Sequence, residues 1–214
     1  MDIQLEYHRP MDIERRSMEI ITQELKQQGI VLNPETVHII RRVIHTTADF
    51  EYATSLYFSP GAQEIGRHAL QQGTPIVTDT RMAQAGINKA AMECFGSQVY
   101  CFMSDADVAA RAKAEGITRA VASMDKAAEV APGAVFVIGN APTALIRLCQ
   151  LREEGKVHPA LVVGVPVGFV NVAEAKELLI HTGAPCIVAR GRKGGSNVAA
   201  AICNAMLYEG MDRG

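Results

Sequence analysis

The feature that most constrains this chain is a change of period after its first two helical stretches. Beyond that point, short apolar, β-rich runs alternate with longer helical patterns. The short runs fall at 75–78, 98–103, 134–138, 160–165 and 186–189. Helical patterns occupy 60–72, 105–115, 118–130, 142–153, 172–181 and 196–208. Short buried strands separated by helices imply right-handed crossovers and a parallel sheet covered by helices on both faces. The expected architecture is α/β, a three-layer α/β/α, doubly wound sheet. Ligands bind such sheets outside the carboxyl ends of the strands, so the loops after the strands deserve the closest reading.

Two amphipathic stretches precede the alternation. From Asp12, expected as an N-cap, Met18, Ile21 and Leu25 recur at helical spacing until Gly29 supplies a stop. A second helix is expected to open at Asn33-Pro34, with Val37, Ile40 and Ile44 as its apolar face, which brings His45-Thr46-Thr47 to its end. No repeat, low-complexity tract or linker divides the 214 residues, 48% of them hydrophobic. That is enough for one sizeable core, and residues 1–214 are expected to form a single domain.

Charge narrows the partners. Lys and Arg number 21 against 23 Asp and Glu, a net charge of -2, which provides no global field for nucleic acid or an anionic membrane. An anionic ligand must be held locally. Cys94, Cys101, Cys149, Cys186 and Cys203 are widely spaced and lack C-x-x-C pairs. They read as reduced thiols rather than metal ligands, and no metal site is expected. Residues 1–10 carry charges and no apolar core of a signal peptide, and no apolar run reaches membrane-spanning length. A cytoplasmic location is expected.

Several strand exits are rich in Gly, Pro and polar residues. The first gives Thr78-Asp79-Thr80-Arg81-Met82, the third Gly139-Asn140-Ala141-Pro142-Thr143. The fourth gives Gly164-Val165-Pro166-Val167-Gly168-Phe169-Val170-Asn171, and the fifth Arg190-Gly191-Arg192-Lys193-Gly194-Gly195-Ser196-Asn197. Any one of them reads equally as a strand-to-helix turn. Together, helix N-termini aimed at one crevice and the cluster of Arg190, Arg192 and Lys193 read as a site for an anion. Neither G-x-G-x-x-G nor the Walker A order occurs, so nothing marks a dinucleotide or ATP. No nucleophile elbow or Cys-centred motif marks covalent catalysis, and Asp49 and Asp79 read as separate acids. His45 is the most interesting titratable residue, although a lone histidine at a helix end also reads as a structural one. His8, His38, His68, His158 and His181 lie in polar contexts and form no metal pair.

The strings themselves resemble a known family. Gly139-Asn140-Ala141-Pro142-Thr143-Ala144-Leu145, Pro166-Val167-Gly168-Phe169-Val170, and Gly194-Gly195-Ser196 ahead of Asn204-Ala205 are similar to the precorrin-8X and cobalt-precorrin-8 methylmutases. So are Arg9-Pro10 with Ile13-Glu14, Val43-Ile44-His45, Thr78-Asp79-Thr80 with Met82, and Gly116-Ile117-Thr118-Arg119. The match runs through almost the whole chain. It departs at Glu174-Ala175-Lys176-Glu177, where many members have Ser in place of Ala175, which puts a hydrogen bond at that position in doubt.

The resemblance implies a flavodoxin-like sheet, a homodimer, and a cleft for a large polycarboxylate corrinoid tetrapyrrole. It implies an isomerase of cobalamin synthesis that moves a methyl group by a [1,5]-sigmatropic shift, with or without cobalt in the substrate. His45 corresponds to the family's catalytic histidine. Arg9, Thr80, Met82, Arg119, Gly139, Asn140, Pro142 and Thr143 are implied substrate contacts. So are Val167, Gly168, Phe169, Arg192, Gly194, Gly195 and Ser196. Such a shift needs a bound macrocycle in a reactive geometry and a proton donor, with no cofactor. A non-catalytic tetrapyrrole carrier is the alternative, and a nucleotide-dependent oxidoreductase lacks its fingerprint.

Overall fold

The computed structural model describes residues 9–209 and 211. The start of the N-terminal segment, including His8, lies outside the described residues. In chain order the elements are α1 (Pro10–Gln27), α2 (Val37–Thr47), α3 (Tyr52–Ser55), β1 (Leu56–Phe58), α4 (Ala62–Gln71), β2 (Ile76–Thr78), α5 (Arg81–Gly86) and α6 (Lys89–Cys94). They continue with β3 (Val99–Tyr100), a 3-10 turn (Phe102–Ser104), α7 (Ala106–Glu115), α8 (Arg119–Val130), β4 (Val135–Ile138) and α9 (Pro142–Glu153). β5 (Leu161–Gly164), α10 (Val172–His181), β6 (Cys186–Ala189) and α11 (Ser196–Glu209) complete the chain.

The strands form one sheet in the order β1-β6-β5-β4-β2-β3. All pairs are parallel except β1 against β6, where Leu56 lies opposite Ala189. The parallel strands alone are ordered second, first, third, fourth, fifth, which is the doubly wound, flavodoxin-like arrangement. Its switch point lies between β2 and β4, from which the chain departs to opposite faces.

Alternation along the buried strands fills two cores. Val135 and Val137 of β4, Leu161 and Val163 of β5, and Ile187 of β6 face the layer made by α1, α2, α4, α5, α6 and α11. Phe136 and Ile138, Val162, and Cys186 and Val188 face α7, α8, α9 and α10. Each fully buried Val, Ile or Phe contributes roughly 1.5–3 kcal/mol, against about 1–2 kcal/mol for ordering its backbone. Unbroken apolar runs are therefore stable only in the middle of this sandwich.

The structure departs from the sequence expectations at the edges of elements. Asp12 is not the N-cap of α1; the helix starts at Pro10, and Asp12 accepts from Arg15 in its first turn (2.8 Å). Asn33 does hold a turn, its side chain accepting from the Glu35 N–H at 2.9 Å, but the α-helix begins only at Val37. The run 98–103 is a strand for two residues only. At the sheet edge β3 has a single neighbour, and the chain turns at Phe102 so that its ring stacks on Tyr100 with centroids 5.6 Å apart. β1 was not anticipated. Three residues directly after a helical turn carry no period, and the strand is held by tertiary bonds, Arg190 N–H to the Ser55 carbonyl (2.8 Å) and Ser59 N–H to that of Cys186 (2.9 Å). Among the described residues no helix is long and apolar enough to cross a membrane.

Candidate active site

The residues after the parallel strands meet at one end of the sheet, and hydrogen bonds tie them into an arc. Thr80 caps α5 by accepting from the Ala83 N–H (3.0 Å), and its hydroxyl lies 2.7 Å from that of Ser196 at the start of α11. Thr118 caps α8 in the same way, accepting from Val121, and lies 3.4 Å from the hydroxyl of Thr143 in the first turn of α9. That contact brings Arg119 next to the exit of β4. Gly168 N–H donates to the Arg192 carbonyl (3.2 Å), and the Arg192 guanidinium stands over the Phe169 ring, 5.5 Å from its centroid.

Two of the glycines permit close approach of backbone rather than a special turn. A Cβ on Gly139 would lie 2.8 Å from the Ser196 Cα, and one on Gly194 would run into the Val165 carbonyl oxygen. Any side chain at these points would push α11 or the 190–195 loop off the strand ends. Ala175 is buried among apolar neighbours at the centre of the α10 face, so its missing hydroxyl leaves no gap in the hydrogen bonding seen here.

Asp79 decides the chemistry of the switch point. Its carboxylate, 1% exposed, accepts from the N–H groups of Gly139 (2.8 Å), Asn140 (2.8 Å) and Ala141 (2.7 Å). The N–H groups expected to meet a ligand's anion ahead of α9 are thus already taken by the protein's own carboxylate. Burial pushes the Asp79 carboxyl above its ordinary range, and the three N–H donors offset only part of that rise. An acid of the protein itself thus closes the end of the crevice where this fold elsewhere receives phosphates.

His45 reaches the same end of the molecule through helix packing. The start of α2 faces the end of α11, with His38 Nε2 3.2 Å from a Glu209 oxygen. At the other end, the Lys193 ammonium just ahead of α11 meets Asp49 (2.6 Å) and Glu51 (2.7 Å) just after α2. The two helices therefore run antiparallel, and His45, exposed in the last turn of α2, lies beside the start of α11. The ion pair with Lys193 holds the Asp49 carboxyl below the usual carboxylate range.

The basic cluster is accordingly less open than the sequence implied. Lys193 is engaged by two acids and Arg190 by Glu177 (3.2 Å), with its guanidinium over Tyr57. Arg192 and Arg119 make no ion pair among the described residues and are both exposed. Met82, Val167 and Phe169 are exposed apolar members of the rim, and Pro142, Asn140 and Gly195 lie within it. Arg9 precedes α1 and is exposed; no hydrogen bond among the described residues joins it to the arc. Among those residues no group of three His, Cys, Asp or Glu is placed to hold a metal ion.

Arg81 and Lys176 are named in the sequence reading but given no role there. Arg81 opens α5 at the rim and reaches Ser104 (3.1 Å). Lys176 is fully buried, and burial pulls its ammonium down to about 8. A signal for it was present, because Val172, Ala175, Lys176 and Leu179 recur at helical spacing with a lysine where an apolar residue belongs.

Fold and rim together define a class, a doubly wound α/β protein with a polar, arginine-bearing arc and a solvent-facing histidine at the strand ends. Residues 12–209 match the family model described as precorrin-8X methylmutase. The chain is 48% identical over 203 residues to a cobalt-precorrin-8 methylmutase of Salmonella typhimurium, covering 93% of this chain and 95% of the relative. A precorrin-8X methylmutase of Pseudomonas aeruginosa is 40% identical over 199 residues, covering 92% and 94%. The crystal structure of the precorrin-8X methylmutase of Thermus thermophilus superposes with a TM-score of 0.87 at 40% identity, covering 95% of this chain and all of that one. The chain belongs to the precorrin-8X methylmutase family, and methylmutases are isomerases that shift a methyl group.

Proposed function

We propose that this chain converts precorrin-8X, or its cobalt-bound counterpart, to hydrogenobyrinate or cobyrinate by a [1,5]-sigmatropic methyl shift, with His45 as the proton donor. The observation that supports the reading is the antiparallel packing of α2 on α11, which brings the last turn of α2, with His45 exposed on it, to the end of the molecule where α11 starts. A sigmatropic shift forms and breaks its bonds within one molecule, so the protein's work is to hold the ring in a reactive geometry and draw electron density from it. Arg119 and Arg192 offer charge-assisted contacts to peripheral carboxylates. The hydroxyls of Thr80, Thr143 and Ser196 offer neutral ones, while Met82, Val167 and Phe169 cover apolar ring edges. A histidine side chain titrates near neutrality and can donate a proton to the macrocycle and recover it after migration. The reading includes one domain over the whole chain, two copies per active assembly and a cytoplasmic setting.

The test offers the purified protein metal-free and cobalt-bound substrate side by side. The expected result is a visible spectrum that changes with time at constant mass; a change on mixing that then stays still is the behaviour of a carrier. His45→Ala is expected to keep the parent's melting temperature and affinity while turnover falls by about 100- to 10,000-fold, the usual contribution of a positioned general acid. Parent-rate turnover with an unchanged pH profile would make His45 structural.

A further inference from the structure

The proposed chemistry makes no use of Lys176, yet the fold buries it completely beneath the 190–195 loop. Among the described residues it has no carboxylate partner. Its Nζ donates to two backbone carbonyls, those of Gly191 (2.8 Å) and Lys193 (2.8 Å). A buried cation with only neutral acceptors is costly, and an apolar side chain would fill α10 more cheaply.

What the ammonium does is set the orientation of two peptide planes. In a trans peptide the C=O and the following N–H point in opposite directions. Drawing in the Gly191 carbonyl therefore turns the Arg192 N–H away from Lys176, and drawing in the Lys193 carbonyl does the same for the Gly194 N–H. The carbonyl between them, that of Arg192, is fixed separately by the Gly168 N–H at 3.2 Å. The loop's opposite flank is held by Lys193 on Asp49 and Glu51. Neither the Arg192 nor the Gly194 N–H meets an acceptor among the described residues, and both residues keep access to solvent.

We propose that Lys176 is a positioning residue that presents the Arg192 and Gly194 backbone N–H groups, with the Arg192 guanidinium, as a clamp for one carboxylate of the ligand. The inference rests on the function proposed above only in taking the ligand to carry carboxylates. It explains why the loop is rigidly tied on its inner side while two donors are left unmatched. A preorganised pair of donors binds an anion without the ordering cost that a mobile loop would incur.

The experiment records backbone amide spectra of the intact protein titrated with hydrogenobyrinate and, separately, with citrate as a simple polycarboxylate. The Arg192 and Gly194 amides are expected to move downfield and saturate with either ligand. Lys176→Met is expected to lose those shifts and to raise KM about tenfold while kcat stays within about twofold, the mark of lost binding shared by ground and transition states. Should the variant fail to fold, the parent's amide shifts decide alone. Hydrogenobyrinate bound with both amides silent overturns the clamp, as does a folded Lys176→Met with the parent's KM and amide shifts. Amides that respond to citrate in a protein that ignores hydrogenobyrinate support the clamp and sink the macrocycle reading instead.

Discussion

Asp79 and Lys176 are a buried acid and a buried base, and backbone rather than a counter-ion satisfies each of them. They occupy the same end of the sheet and make it polar from within. For Lys176 this has a measurable consequence. Its pKa stands at about 8 in the folded protein against an ordinary 10.5. Below about pH 8 both folded and unfolded chains hold the proton, and the cost of burying the charge is constant. Between about pH 8 and 10.5 the unfolded chain holds a proton that the folded chain has released, so this residue's contribution to stability rises with pH. Lys176→Met should remove that rise. Thermal melts of parent and variant across the window check it, and parallel curves would show that the two carbonyls keep the ammonium at its ordinary value.

Among the elements, α8 shows how the layer opposite α2 is fastened. Asp125, buried on α8, accepts from Arg147 of α9 (2.7 Å) and lies 3.3 Å from Arg111 of α7. One carboxylate thus joins three helices, and α8 and α9 are those whose first turns carry Arg119 and Thr143. Asp125→Ala leaves Arg147 with Glu154 as its one carboxylate partner among the described residues, beside the Gln150 side chain. Hydrogen bonds to charged groups are worth about 1.5–3 kcal/mol, and both arginines are partly solvated, so a loss of about 2 kcal/mol is expected. Denaturant unfolding measures it. Asp125→Asn should lose less, and an Ala variant as stable as the parent would reduce the cluster to surface decoration.

Over the whole molecule, the rim is unusual in leaving Met82 72%, Phe169 84% and Val170 75% exposed at one end. Large exposed apolar side chains gathered around a site mark a surface that is covered when the protein works. The proposed second copy would cover part of it and the macrocycle the rest. Light scattering at micromolar concentration should give twice the 23.1 kDa of one chain. Val170→Glu, which places a charge in that patch, should shift the population toward single chains. A parent that runs as a single chain at every concentration tested would count against the second copy.

How much of this was legible in the sequence differs from element to element. The helices 142–153 and 172–181 and the strand 186–189 coincide with α9, α10 and β6, because long periodic stretches and fully buried β-branched runs report their own burial. The loops after β2, β4, β5 and β6 were readable as one end of the sheet because parallel topology sends every such exit to the same side. The sequence by itself therefore determined the layers, the sheet's direction and the chemical types available at its rim. The tertiary structure alone decided which of those groups remain available. Asp79 occupying the N–H groups ahead of α9, Lys193 paired across 144 positions with Asp49, and Lys176 turned onto the 190–195 loop are contacts between residues distant in the chain. No local period encodes such pairings, because a side chain's partner is set by where packing brings the backbone.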